Sequence, residues 1–392
     1  VGLRSLRSQV RSLSGAPHVF LVHGRWAGGE KVPGMSLRTD SFRDRTGNDA
    51  CQTLPAKLNL LDCDRHDLER LFREKTYRGD QVFSWVFSKG VREISKMTNL
   101  PRELRGEMAR SFEIAYPPVV GRQVSSDGTE KLAYRLKDGC IIESVLIPEK
   151  DHWSVCISSQ VGCAMGCRFC LTATMGFTRN LSPGEIVAQV VYPIHEFPHR
   201  QIRNVVFMGM GEPLLNYDSV IRAANVITDP DGPQISKRRV TISTCGIVPA
   251  LKDLARDTEI GLAVSLNAPD DETRSAIMPV NRKYPLADLL AALREYELPN
   301  RRRITVEYVL IKGVNDSPAH ARRLIRALHG LRAKVNLIPF NPWPGCTLEA
   351  PDPADVAAFE ARLRDSPYTV MLRKEKGRDI LAACGQLAGG MV

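Results

Sequence analysis

The amino-acid sequence predicts an α/β fold: a partial (βα)6 barrel of the TIM type, preceded by a small helical domain and a short antiparallel β extension. Three observations predict it. Strand and helix signals alternate over residues 151–392, as βα units with right-handed crossovers require. Helical periodicity fills residues 55–118, and turn sequences separate alternating apolar runs over residues 119–150. At 392 residues the chain has room for two or three such units.

Residues 1–54 mix Gly, Ser, Arg and Thr without sustained periodicity and are expected to be a disordered extension. The absence of acid from residues 1–29 would also suit a transit peptide, whereas Met35 downstream suits a gene start placed too early. From Leu58 to Ile114 the pattern is helical. Asp64 is a helix cap, Leu68, Leu71 and Phe72 share a face, Val82, Trp85 and Val86 repeat it, and Leu104 with Met108 marks a third helix. Arg70, Arg73, Lys75, Arg78, Lys89 and Arg92 give this region a basic surface suited to RNA, although solvated helix faces are charged for no such reason.

Ser126-Asp127-Gly128-Thr129 and Lys137-Asp138-Gly139 flank alternating runs that read as a small antiparallel sheet. Period two sets Glu143 on the face of Ile141, Val145 and Ile147. A carboxylate in that company needs a partner or keeps its proton, unless the strand is an edge facing water. Barrel strands are predicted over Ser154 to Ser158, Asn204 to Met208, Arg239 to Thr244, Gly261 to Ser265, Arg303 to Ile311 and Lys334 to Ile338. Ser182-Pro183-Gly184-Glu185 is a capping box that starts the first barrel helix. Chemistry in such barrels gathers at the C-terminal ends of the strands.

Net charge +10 favours a polyanionic partner. No segment approaches the ~18 unbroken apolar residues of a membrane span. Ten cysteines, three of them tightly clustered, fit a reducing cytoplasm better than a secreted disulfide framework.

The cluster is Cys163-x3-Cys167-x2-Cys170. Thiolates so close in sequence converge on one soft metal centre at small entropic cost. Three ligands suit a 4Fe-4S cluster with one iron left open, whereas a structural zinc wants four, with Cys156 as the available fourth. With Phe169 inside it, the triplet resembles the radical S-adenosylmethionine superfamily. Cys156, the run Ser158-Ser159-Gln160-Val161-Gly162-Cys163, Gly209-Met210-Gly211-Glu212-Pro213 and Ala383-Cys384-Gly385-Gln386-Leu387 extend the likeness over roughly residues 56–390. Together they resemble the bacterial adenine C2 methyltransferases of 23S ribosomal RNA and transfer RNA.

That resemblance implies a 4Fe-4S cluster on Cys163, Cys167 and Cys170, and S-adenosylmethionine, two molecules per turnover, held by Gly211, Glu212, Ser243, Ser265, Leu266, Asn267 and Asn341. Relatives often carry His at position 267, so the backbone there is expected to matter more than the side chain. The resemblance further implies that Cys384 is methylated on sulfur, and that a radical from a second cofactor molecule activates this methyl group for addition to C2 of adenine. By the same resemblance Glu143 accepts the C2 proton, and Cys156 releases the product by forming a disulfide with Cys384. A low-potential electron donor such as flavodoxin, a monomeric state and 23S rRNA and tRNA as partners complete the expectation. The sister chemistry at adenine C8 shares the cluster and both cysteines, and a zinc-stabilised RNA-binding protein is the non-enzymatic alternative. Lys237-Arg238-Arg239, Arg301-Arg302-Arg303 and Arg282-Lys283 are candidate phosphate contacts. Cys51, Cys63, Cys140, Cys245 and Cys346 are read as ordinary cysteines.

Overall fold

The computed structural model describes residues 57–299 and 301–389, so the extension expected over residues 1–54 lies outside the described residues. Leu58–Asn59 (β1) pairs in parallel with Phe112–Glu113 (β2), and between them lie α1 (Arg65–Leu71), α2 (Tyr77–Phe83) and α3 (Arg102–Ser111). Asp64 caps α1 by accepting the Asp67 N–H at 2.9 Å, and Asp67 returns the bond to the Asp64 N–H at 3.3 Å. Leu68, Val82, Val86, Leu104 and Met108 are buried, as the periodicity predicts. A wide helical turn, Ser84–Ser88, continues α2.

This helical unit is keyed to the barrel by charge. Arg65 binds Asp229 at 2.7 and 2.9 Å, and Arg222 reaches back to Asp64 at 3.1 Å. The Gly184 N–H donates to Asp62 Oδ1 at 2.8 Å, where any β-carbon would stand 2.7 Å from that oxygen.

Strands β3 (Val119–Val124), β4 (Glu130–Arg135) and β5 (Ile141–Pro148) run antiparallel. They do not form a separate sheet: β5 pairs with β6 (Trp153–Cys156), with Val145 opposite Cys156, and so extends the barrel. After a hairpin of β7 (Gln160–Gly162) and β8 (Phe177–Asn180) come α4 (Pro183–Glu196), β9 (Ile202–Phe207), α5 (Tyr217–Thr228), β10 (Val240–Thr244), α6 (Val248–Asp257) and β11 (Gly261–Ser265). Helices α7 (Asp271–Ile277) and α8 (Leu286–Glu295) then lead to β12 (Ile304–Leu310), α9 (Pro318–Ala327), β13 (Ala333–Pro339), α10 (Pro353–Arg364) and β14 (Thr369–Leu372).

The large sheet has ten strands in the order β14-β13-β12-β11-β10-β9-β6-β5-β4-β3. All six predicted barrel strands are present and parallel, each within two residues of its expected bounds, and the sheet stays open. A seventh parallel strand, β14, was not expected; its burial pattern is that of an edge, with Met371 and Leu372 exposed. Ser182 and Glu185 make the predicted capping box of α4, at 3.2 and 2.9 Å.

Candidate active site

The strands of the barrel deliver their C-terminal ends to one cavity, which holds about 1190 Å³ of empty space including its open mouth. Cys156 ends β6, and the cysteine loop follows after β7. The β7–β8 hairpin clamps the base of this loop: the Cys163 N–H donates to Gly176 O at 2.7 Å. A β-carbon on Gly162, whose φ is +73°, would lie 1.9 Å from that carbonyl, so only glycine closes the clamp.

Cys163, Cys167 and Cys170 all line the cavity as half-buried thiols. Burial pushes the Cys163 thiol up to about 12 and raises those of Cys167 and Cys170, although the Thr172 hydroxyl and nearby N–H groups draw Cys170 back. Among the described residues no three His, Cys, Asp or Glu side chains stand close enough to share a single ion. The three thiols share the cavity wall, and three ligands suit a 4Fe-4S cluster with one iron left open.

Gly211, Glu212, Ser243, Ser265 and Asn341 share this wall. Gly211 has φ +98°, and a β-carbon there would meet Gln160 Cβ at 2.5 Å. Glu212 is buried: its Oε1 accepts the Leu214 N–H at 3.0 Å and its Oε2 the Cys245 N–H at 2.7 Å. Burial raises its carboxyl despite those bonds. Asn341 Nδ2 donates to Cys384 O at 3.4 Å while its Oδ1, buried, has no partner. An orphan acceptor on a cavity wall fits the hydroxyl or amino donors of S-adenosylmethionine. Leu266 and Asn267 are buried behind the wall. Asn267 is already engaged, Oδ1 accepting the Val309 N–H at 2.8 Å and the carbonyl accepting Asn315 Nδ2 at 2.6 Å.

The tail lies across the mouth. Leu171 N–H donates to Gly385 O at 2.7 Å, the Thr172 hydroxyl to Leu387 O at 2.6 Å and Gln386 Nε2 to Pro342 O at 2.7 Å. Further back, Asp379 accepts the Ser125 hydroxyl at 2.5 Å and the Ser126 N–H at 3.0 Å. These bonds bring Cys384 to the same wall as Cys156. Cys384 presents accessible surface, yet burial raises its thiol, because that surface faces the enclosed cavity. Both cysteines are free thiols, so no disulfide joins them in this structure.

Glu143 does not reach the wall. It is fully buried on β5, one step mouthward of Val145, with Lys131 Nζ 3.3 Å from Oε1 and the Ala388 N–H donating to Oε2 at 2.9 Å. The partner that the sequence demanded is therefore Lys131, itself buried.

Two arginines of the site carried no signal in the sequence. Arg274 on α7 is fully buried and donates to Leu266 O at 3.0 Å, Cys245 O at 2.7 Å, Ser265 O at 3.3 Å and Asn281 Oδ1 at 2.8 Å, tying the ends of β10 and β11 together. Arg373, delivered by β14, is the one cation on the cavity wall among the described residues.

The basic runs separate by topology. Lys237-Arg238-Arg239 precedes β10 and Arg301-Arg302-Arg303 precedes β12, which puts both at the N-terminal ends of the strands, away from the mouth. Arg282 and Lys283 are exposed on the mouth side: they follow Pro279, the nearest neighbour of Gly166 in the cysteine loop.

Comparison with known proteins agrees with this geometry. Residues 157–325 match the Radical SAM superfamily, and residues 58–114 match the ribosomal RNA large subunit methyltransferase N-terminal domain. The dual-specificity RNA methyltransferase RlmN of Syntrophus aciditrophicus is 48% identical over 338 residues, covering 85% of this chain and 97% of the relative. That of Desulfosudis oleivorans is 51% identical over 314 residues, covering 80% and 85%. A crystal structure of a radical SAM methyltransferase from Sphaerobacter thermophilus is 42% identical, covers 85% of this chain and all of its own, and superposes with a TM-score of 0.80. The chain belongs to the RlmN family of radical S-adenosylmethionine RNA methyltransferases, whose 4Fe-4S cluster and S-adenosylmethionine are its cofactors.

Proposed function

We propose that this enzyme methylates C2 of adenine in 23S ribosomal RNA and in transfer RNA, with Cys384 as the carrier of the methyl carbon. One observation carries the reading: thiols from positions 156 and 384 line a single cavity with the three thiols of the cysteine loop. When bound, the cluster and S-adenosylmethionine supply the one-electron chemistry that removes hydrogen from an unactivated carbon. Cys163, Cys167 and Cys170 hold the cluster. Gly211, Glu212, Ser243, Ser265 and Asn341 hold S-adenosylmethionine, while Leu266 and Asn267 set the end of β11 from behind.

Cys384 keeps the carbon within reach of the base, and intramolecular delivery raises effective concentration by many orders of magnitude. Cys156 then attacks the Cys384 sulfur and leaves a transient disulfide, by thiol-disulfide geometry. Glu143 takes the C2 proton; in support, it sits mouthward of Cys156 beneath Ala388, so displacement of the tail uncovers it. The target adenosine leaves its stack to enter the mouth. Arg73, Lys75 and Arg78, which make no ion pair among the described residues, guide the RNA together with Arg282 and Lys283. The protein works as a cytoplasmic monomer with a donor such as flavodoxin, and no helix among the described residues is long and apolar enough to cross a membrane.

The test is mass spectrometry of RNA from cells lacking the gene. Loss of 2-methyladenosine from both ribosomal and transfer RNA is expected; its persistence in both overturns the reading. Replacing Cys156 is expected to trap a protein-RNA adduct through Cys384.

A further inference from the structure

The cavity wall contains two carboxylates, Glu212 and Glu307, five cysteines of the proposed chemistry, Cys245, and a single cation, Arg373. Nothing in the chemistry described so far uses that arginine. Its position is fixed from its backbone, where the Arg373 N–H donates to Leu337 O at 2.8 Å and continues the β13–β14 register. Its guanidinium makes no ion pair with any carboxylate within 4 Å among the described residues; the one contact is Nη1 to Met208 Sδ at 3.8 Å. Met208 follows β9, directly beside the end of β6 that carries Cys156.

A second cavity opens at the other end of the barrel, and Ile147, Met208, Glu307 and Arg373 line both. The guanidinium thus sits in the partition between them, on the wall that also carries Cys156. Placing an unpaired cation there costs desolvation, and a cation so placed stabilises anionic sulfur in front of it.

We propose that Arg373 is a positioning residue for the resolving step: its charge, on the wall shared with Cys156, favours the thiolate form of Cys156 that attacks Cys384. The inference rests on the reading of Cys156 given above. In the step, Cys156 sulfur bonds to Cys384 sulfur and the bond from Cys384 sulfur to the methylene carbon breaks. The electron pair passes to that carbon, which takes a proton from water and becomes the methyl group. The Cys156 thiolate and the Cys384 thioether sulfur are oxidised to a disulfide as the methylene carbon is reduced to methyl, and a cellular dithiol reduces the disulfide before the next turnover.

Burial dominates at Cys156 and, with the neighbouring Cys384, leaves its thiol raised to about 12; Arg373 and the Met208 N–H offset part of that rise, so the guanidinium enlarges a small thiolate fraction. Glu307, from β12, is an opposing carboxylate on the same wall, and Asn336 Nδ2 donates to its Oε2 at 2.7 Å.

The test measures alkylation of Cys156 by iodoacetamide, read peptide by peptide, in the wild type, Arg373→Gln and Arg373→Lys. Removing a nearby opposite charge shifts a thiol by about one unit, so the rate at pH 8 should fall about tenfold in Arg373→Gln. Arg373→Lys should stay within about threefold of wild type, because the charge remains. Circular dichroism serves as the folding control and should be the same in all three proteins. Equal rates for wild type and Arg373→Gln, or equal losses in Gln and Lys variants, overturn the proposal. In single-turnover assays the RNA adduct should persist about tenfold longer in Arg373→Gln, and raising the pH by about one unit should restore its release. If the Cys156→Ser protein accumulates no adduct, the resolving role of Cys156 fails, while the alkylation result still judges the electrostatic claim by itself.

Discussion

Arg274→Met removes the tie between the ends of β10 and β11. The wild-type guanidinium satisfies Leu266 O, Cys245 O and Asn281 Oδ1 at 3.0, 2.7 and 2.8 Å, with Ser265 O at a longer 3.3 Å. Methionine fills similar volume but donates nothing: Leu266 O keeps the Ala268 N–H at 2.8 Å, whereas Cys245 O and Asn281 Oδ1 lose this donor, each costing about 1–3 kcal/mol. Against this stands the relief of burying a guanidinium whose ionisation burial already disfavours. The net expected loss is about 3–4 kcal/mol, read as a shift in denaturant midpoint at unchanged m-value in apoprotein. Because Ser265 and Cys245 lie on the cavity wall, S-adenosylmethionine affinity measured by calorimetry should fall as well. A variant within 1 kcal/mol of wild type, with cofactor affinity intact, refutes the idea that these carbonyls depend on Arg274.

Three further outcomes follow from the geometry. Lys131→Met leaves Glu143 buried without its counter-charge and should cost about 3 kcal/mol, whereas the double change with Glu143→Leu should recover most of it; additive losses in a double-mutant cycle would contradict a coupled pair. Gly211→Ala forces a side chain into φ +98° against Gln160, so S-adenosylmethionine binding should weaken at least tenfold by calorimetry, with the cysteine loop still able to take up iron. Asp138 is held down to about 2 by the Arg179 guanidinium, assisted by the Cys140 N–H, against an ordinary value of 3.8. Its contribution is therefore present above pH 3.8 and lost as pH falls toward 2, so the stability difference between wild type and Asp138→Asn should shrink across that window in acid titrations.

The barrel was legible because its strands are buried runs bounded by turn signals, and the Asp64 and Ser182 caps are local chemistry that needs no partner from elsewhere. The cysteine triplet was legible for the same reason. What escaped notice depends on long-range register. Lys131 and Glu143 share a face across β4 and β5, and every residue of β4 but Arg135 is buried, which erases the alternation that would have flagged a special position. Arg274 sits in Asp271-Glu272-Thr273-Arg274, a helix start that reads as solvated, and only the turn of α7 back onto the strand ends buries it. Strand β14 is four residues long with three exposed, so its carriage of Arg373 into the cavity was invisible.

The bonds that fasten residues 377–388 to Ser125, Asp127, Glu143, Leu171 and Thr172 also order events during synthesis. Those receptors precede the segment they grip by more than two hundred residues, and the last barrel strand precedes it by only a few, so the mouth is capped at the very end of synthesis. Metal that reaches the cysteine loop before the tail docks on Leu171 and Thr172 meets an open mouth, which the tail then covers.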